Sequence, residues 1–417
     1  MVRIIVLWIF LFSLISFIRV QAHKLQVGEQ YPIKTIKEAI QIANPNDTVQ
    51  VYSGHYREGN IVVDKSLTLL GIGMPVLDGD HTYEILSVKS PYVVISGFRV
   101  QASGHAAMAD PAGIKIYNTH HVTIKNNVLE DNFFGIYAQQ ATQCTISNNI
   151  LRAYSTQEQL IGNGIHAWKS SELNIQNNRI QGHRDGIYLE FVTHTHIEQN
   201  FSRKNLRYGL HFMFSHNNSY MNNTFSNNGA GVAVMYTRHV TMMNNVFKDN
   251  WGDASYGLLL KEITDSRIEG NTFLNNTTGI LMEGTTRIKV QKNKFLDNGW
   301  AVKIQASCMD NVLERNDFRR NTFDVGTNGS LVLNTLRQNY WDKYEGYDLN
   351  KDGIGDVPYR PVSLYAMIAE RYPVTMILFR SFMVSLLDRT EKMLPSLTPE
   401  NMKDDEPALK PLNDDRN

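Results

Sequence analysis

The sequence predicts an all-β fold, a right-handed, single-stranded parallel β-helix, and three observations carry that prediction. First, an asparagine closing a short polar stretch recurs at Asn127, Asn149, Asn178, Asn200, Asn223, Asn245, Asn271, Asn293, Asn316 and Asn339, at intervals of 22, 29, 22, 23, 22, 26, 22, 23 and 23 residues. Second, a glycine lies fourteen residues before each of the first eight: Gly113, Gly135, Gly164, Gly186, Gly209, Gly231, Gly257 and Gly279, with Ala301 replacing it in the next unit. Third, each unit carries two short runs of period two, one after the glycine (Gly186-Ile187-Tyr188-Leu189) and one before the asparagine (Val240-Thr241-Met242). Period two marks strands with one buried face. No unit contains a helical apolar pattern, so strands about 22 residues apart stack only as coils of a parallel solenoid. The glycines are expected at tight corners that need positive φ. The asparagines tolerate left-handed backbone, and stacked one per coil they can form a hydrogen-bonded ladder.

The elements follow in chain order. Residues 1–22 have a basic start at Arg3, an apolar run from Ile4 to Phe17 and a small-residue end at Ala22, which reads as a secretory signal peptide with His23 as the first mature residue. Ile36–Ala43 has helical spacing before the turn-rich Asn44-Pro45-Asn46-Asp47 and is read as an N-terminal capping helix, which a solenoid needs to cover its terminal edge. Early coils follow in Val49–Tyr52, Ile61–Leu70 and Val93–Val100, and the β-helix is expected to span 23–345. The two long intervals place loop insertions near Ala153–Asn163 and Trp251–Ala254. A turn-rich segment, 346–361, leads to an apolar, Met-rich segment, 362–400, read as amphipathic helix. Its longest apolar stretch, Val374–Leu387, contains Arg380 and is too short to span a bilayer. It either packs on the barrel as a C-terminal cap or docks a membrane partner. The polar tail 401–417 is expected to be disordered.

Composition excludes several classes. With Lys+Arg and Asp+Glu both at 41, the chain has no basic excess for nucleic acid and no acidic excess for a metal buffer. Its two cysteines, Cys144 and Cys308, fall seven coils apart, roughly 34 Å at the spacing of neighbouring strands, so they are expected as free thiols.

Residues one and three places after each glycine, such as Ile187, Leu189, Leu210 and Phe212, are core. Those two and four places on face outward and are rich in aromatics, histidine and methionine, which marks a binding surface. Aromatic platforms suit sugars or a protein partner, whereas imidazole with thioether suits copper, above all Cu(I). His211, Met213 and Met235 share one coil and its neighbour, with Glu190 one coil before, and form the first candidate copper set; otherwise the methionines are plastic contact residues. In the strand before the asparagine, Glu198, Met221 and Met243 share an outward column beside His196, a second and weaker candidate set. Asp348, Asn350, Asp352 and Asp356 offer oxygens at positions one, three, five and nine of a calcium-type loop, but Tyr359 stands where glutamate belongs, so a plain turn is the alternative.

A catalytic reading is disfavoured. Glycoside hydrolysis needs two carboxyl groups roughly 5–9.5 Å apart. The outward acids of the aromatic face, Glu190 and Glu283, lie four coils apart, about 19 Å. No acids cluster across neighbouring coils as a calcium-dependent lyase would require.

With the register laid out, the chain resembles the NosD family, periplasmic β-helix proteins required to mature nitrous oxide reductase. The resemblance rests on the Ile36–Ala43 helix and Asp47–Tyr52, on Asp185-Gly186-Ile187-Tyr188-Leu189-Glu190 and Arg207-Tyr208-Gly209-Leu210-His211-Phe212-Met213, and on Asn339-Tyr340-Trp341-Asp342. It continues through Asp352-Gly353-Ile354-Gly355-Asp356, Pro358-Tyr359-Arg360-Pro361 and the Met-rich end. It implies a pectin-lyase-like solenoid without enzymatic activity, in the periplasm. The implied partners are an inner-membrane ABC permease with its ATPase, a copper-chaperone lipoprotein and nitrous oxide reductase, with copper carried transiently and membrane contact made through the partner. A carbohydrate-binding or carbohydrate-active solenoid is the alternative.

Overall fold

The computed structural model describes residues 23–105, 110–155, 157–329, 333–378, 381–393 and 402–411, so the expected signal peptide lies outside the described residues. The chain is a parallel β-solenoid whose strands stack in three sheets of 14, 12 and 13 strands. Every coil therefore has three strands, where the sequence showed two. The strand after the glycine belongs to the 12-stranded sheet, the strand before the asparagine to the 14-stranded sheet, and a third, such as Thr224–Ser226, follows the asparagine. That third strand is three residues long with one inward side chain, too short to display alternation. Its inward position is nonetheless the richest in the core: Phe225, Phe247, Phe273, Phe295, Phe318 and Trp341 stack in sequence with centroids 4.2–5.7 Å apart.

The asparagine ladder forms as expected. Each Oδ1 accepts from both the backbone N–H and the Nδ2 of the asparagine one coil earlier, as Asn245 does from Asn223 at 3.0 Å in each case. The run is unbroken from Asn127 to Asn339. The left-handed residue of the corner is the one before the ladder asparagine, for example Asn126, Asn148, Asn177 and Asn222, which corrects the expectation for the asparagine itself. A second ladder stands five residues on: Asn205, Asn228, Asn250, Asn276, Asn298 and Asn321.

The periodic glycines have a different cause from the one the sequence suggested. None from Gly113 to Gly279 has positive φ. A Cβ at Gly135, Gly164, Gly186, Gly209, Gly231, Gly257 or Gly279 would instead lie 2.4–2.7 Å from the carbonyl oxygen of the equivalent residue one coil on. They are glycine because the backbones of successive coils approach too closely for a side chain.

Helix α1 (Ile36–Ile42) covers the first coil with Ile36, Ala39 and Ile40 buried. Its ends are closed by opposite charges: Glu58 accepts from the N–H groups of Ile36 and Lys37, and Lys65 donates to the carbonyls of Ile40, Gln41 and Ala43. A strand before it, Lys24–Val27, pairs with Thr48–Tyr52 and opens the 14-stranded sheet. Both insertions, around the short helical turn Glu158–Leu160 and the exposed Trp251, enter strands of the 12-stranded sheet and so bulge at one corner. Cys144 and Cys308 are buried and free.

At the far end, α2 (Leu364–Arg371) lays Tyr365, Ala366 and Ala369 on Trp300 and Phe323, and Lys303 pairs with Glu370 at 2.5 Å. The turn Pro373–Leu378 and α3 (Phe382–Met393) follow. The tail corrects the expectation of disorder from 401 onward, because residues 402–411 return to the barrel. Met402 is buried, and the Asp404 carboxylate accepts from Asn339 N–H, Asn339 Nδ2 and Trp341 Nε1 at 2.9, 3.0 and 3.1 Å. The tail is polar because it satisfies the last coil's polar groups.

Removing the Asn245 carboxamide leaves the Asn223 donors facing a void. Asn245→Ala should cost about 1–3 kcal/mol, the penalty of buried unsatisfied groups, read as a lower urea midpoint. Asp404→Ala should lower the midpoint comparably and make residues 402–411 protease-sensitive.

Candidate functional site

The outward face of the 12-stranded sheet is built by the glycines. Pairing skips them, with Ala112 opposite Phe134 and then Ile114 opposite Ile136. Alternation therefore slips, and the residue before each glycine shares the outward face with the residue two after it. Phe134 packs on Tyr137 at 5.4 Å, and Tyr208 on His211 at 4.7 Å. The outer columns thus form an apolar layer of their own.

One continuous ring column runs Tyr137–His166–Tyr188–His211, with centroids 4.5, 5.0 and 4.8 Å apart. Lys115 lies over Tyr137 and Tyr117 at 4.6 and 4.8 Å, and the Tyr117 hydroxyl donates to Glu84 at 2.9 Å. Burial, then the charges of Asp110 and Glu190, pushes Tyr137 up to about 12. Burial, then Glu190 and Asp185, does the same to Tyr188. Burial, with the Arg184 guanidinium nearby, holds His166 down at about 3, and Asn163 Nδ2 donates to its Nδ1 at 3.0 Å.

Of the first candidate set, Glu190, Met213 and Met235 are register partners on three successive coils, half-buried in one column that continues to Lys261 and Glu283. His211 stands in the next column and is buried under Tyr188 and Tyr208. Its Nδ1 is 3.3 Å from Asp185 Oδ2, and its Nε2 has no partner. Asp185 also receives Arg207 Nε at 3.5 Å, and Arg207 reaches Glu158 of the insertion at 3.7 Å. The two methionines are therefore neighbours in one column, one strand spacing apart at about 4.8 Å between backbones, while the imidazole is held inward by a carboxylate. The donor chemistry fits a soft cation, with two methionines in register and an imidazole in the adjacent column.

In the second set Glu198, Met221 and Met243 are register partners and the column runs on to Glu269, which pairs with Arg267 and Lys292. His196 lies one column away with Nδ1 2.6 Å from Ser219 Oγ. In the 348–356 loop the oxygens turn onto the loop's own amides: Asp348 accepts from Lys351, Asp352 and Gly353, Asp352 from Ile354, and Asp356 from Leu349. Among the described residues no group of three or more His, Cys, Asp or Glu side chains gathers at metal-holding spacing.

Sequence reasoning missed two features. Asp185, beside Gly186, falls outside the period-two pattern because the slip at the glycine has no sequence signal. An exposed stack of Phe191, Phe214 and Tyr236, centroids 5.3 and 5.1 Å apart, borders the methionine column. All three have positive φ, and each lies five residues after a periodic glycine, a signal that was available.

Comparison with known proteins places the chain. The NosD family description, "Periplasmic copper-binding protein (NosD)", matches residues 81–158 and 152–351. The chain belongs to the NosD family. A NosD of Pseudomonas aeruginosa, named "Probable ABC transporter binding protein NosD", is 28% identical over 378 residues, 86% of this chain and 87% of its own length. A NosD of Stutzerimonas stutzeri with the same name is 28% identical over 112 residues, 26% of each chain. Among solved structures, the catalytic domain of a GH87 α-1,3-glucanase is 11% identical with TM-score 0.62, covering 77% of this chain and 69% of its own. A family 28 exopolygalacturonase of Yersinia enterocolitica is 11% identical with TM-score 0.52, covering 76% and 78%. At such identity these enzymes share the β-helix alone with this NosD chain.

The ring column carries a pH prediction. His166 at about 3 and His183, pushed by burial to about 4, are neutral in the folded chain. The unfolded chain protonates both below about 6.5. Their contribution is therefore complete above that pH and is lost as pH falls toward 4. The urea midpoint should drop between pH 6.5 and 4, and His166→Phe should flatten that slope measurably.

Proposed function

We propose that this NosD chain is a non-catalytic periplasmic accessory protein for copper-centre assembly of nitrous oxide reductase, positioning or passing Cu(I) at the column of Glu190, Met213 and Met235. The observation that carries this reading is the pair of adjacent half-buried thioethers in register on the outward face. It sits beside the exposed aromatic stack, a surface suited to a protein that delivers or receives the ion. Thioethers bind monovalent copper without a fixed geometry, which favours transfer over retention. His211 stands behind the pair, and Asp185 sets its orientation.

The partners in this reading are an ABC permease with its ATPase and a lipoprotein copper chaperone. The naming of the relatives as ABC transporter binding proteins supports the first. So do the turn after α2 and the start of α3, where Val374, Ile377 and Phe382 are 85%, 86% and 82% exposed. No described helix is long and apolar enough to cross a membrane, so these side chains are offered to a partner's surface. The carbohydrate reading gains nothing from the register: Glu190 and Glu283 stand four rungs apart, and Glu283 faces Lys261.

Two experiments test this. Nitrous oxide reductase purified from a strain lacking this protein should be copper-poor. The wild type should restore it, and Met213→Leu/Met235→Leu should not; fully loaded reductase in the deletion strain refutes the maturation role. Separately, Ile377→Asp/Phe382→Asp should abolish co-purification with the permease while leaving the melting temperature unchanged; retained co-purification moves the docking surface elsewhere.

A further inference from the structure

A second donor pair lies on the same edge of the solenoid, far from the methionine column. Met213, Glu190, Trp168, Gln139 and Tyr117 are successive register partners, four rungs in all. At the spacing of neighbouring strands that is about 19 Å. Three residues after Tyr117 the chain presents His120 and His121 at the corner before the strand Thr123–Lys125. Their Nδ1 atoms face each other at 2.7 Å, with the rings 4.9 Å apart at 81°. Tyr92, on the preceding coil and 59% exposed, stands edge-on to His120 at 5.5 Å and tilted over His121 at 4.9 Å.

The backbone under the pair is fixed from both sides. His121 N–H donates to Thr142 O at 3.2 Å, and Tyr92 N–H donates to His120 O at 3.3 Å. Tyr92 and His121 have φ of 58° and 56°. The same left-handed corner recurs at Gln143, Glu172, His194, Asn217 and His239, so the repeat imposes it. What is particular to this coil is that two imidazoles and a phenol occupy it.

We propose that His120 and His121 form a two-coordinate site for a soft monovalent cation of the Cu(I) type, walled by Tyr92 and separate from the methionine column. Two neutral imidazoles whose Nδ1 atoms point at each other share one proton between two lone pairs. When a cation takes that place, the proton on one Nδ1 moves through solvent to the Nε2 of the same ring. Both rings remain neutral, and the complex carries only the charge of the ion. Bonds of about 2 Å to each imidazole nitrogen need the two about 4 Å apart, an opening that rotation of the exposed His121 ring supplies. A divalent ion such as zinc requires about four ligands, and no third His, Cys, Asp or Glu gathers here among the described residues. A linear monovalent ion needs only the pair.

The test uses the mature full-length protein under anaerobic, reducing conditions, with Cu(I) titrated against a chromophoric chelator and Ag(I) as a redox-inert probe. His120→Ala/His121→Asn should lose one bound equivalent of each ion with an unchanged melting temperature, since both side chains lie at the surface and Asn accepts the left-handed backbone. Met213→Leu/Met235→Leu should keep that equivalent, and X-ray absorption of its Cu(I) form should show two nitrogen neighbours and no sulfur. This outcome separates the histidine site from the proposed function, whose failure would appear in the methionine variant alone. Unchanged stoichiometry in the histidine variant overturns the proposal, as does Zn(II) binding to the pair as tightly as Cu(I).

Discussion

Each coil from Asn127 to Asn339 rests on a carboxamide buried where water cannot replace it. The ladder asparagine accepts two bonds from the coil before and donates to the coil after, and its Nδ2 also reaches a carbonyl one coil back, as Asn245 does to Tyr220. A corner otherwise leaves its backbone N–H groups turned inward without partners, a buried deficit that costs more than a hydrogen bond gains. Register follows from this, because only one asparagine of each Asn-Asn pair can join the row: Asn126, Asn148, Asn177 and Asn222 are left-handed and exposed, while the residue after each is buried. The outward columns inherit their alignment from that inner row.

Close stacking then dictates the rest. Glycine recurs because the carbonyl of the next coil occupies the space of a Cβ. The pairing slips there, and the slip is what turns Asp185 and Tyr208 onto the same face as His211. The composition and layering of the outward face are therefore a by-product of a packing rule. The same rule explains why the face is layered: Ala233, Leu259 and Leu281 lie under Tyr208, Met235 and Tyr256, outside the main core.

The fold was legible because the ladder asparagines and glycines repeat with one residue identity per coil. The methionine column was legible too, since a period-two strand with a fixed register fixes its neighbours. Other features left weaker traces. The third strand of each coil is three residues long and shows no alternation. Asp185 needed knowledge of the slip. The His120–His121 pair lies in a corner, where side-chain direction is set by left-handed backbone rather than by a strand period. The tail misled because its composition is that of a disordered segment, while its function in the fold is to supply polar atoms to an end that lacks them. His183 shows the opposite case: it stands where the second ladder would place an asparagine, its backbone N–H donating to Asn205 Oδ1, while both ring nitrogens remain unpartnered.

The ladder also has a direction. All its carboxamide oxygens accept from the coil before, and each backbone N–H with one Nδ2 hydrogen is given to the coil after, so the amides align as a row of dipoles from Asn127 to Asn339, with its positive pole at Asn339. A helix with that polarity is terminated by an anion at its donor end, and here Asp404 fills that place. An asparagine at 404 would offer a further pair of donors and so invite another coil; a carboxylate only accepts. The open end of the row is thus closed by a single carboxylate delivered from outside the repeat, in the place where a further coil would have supplied an amide oxygen.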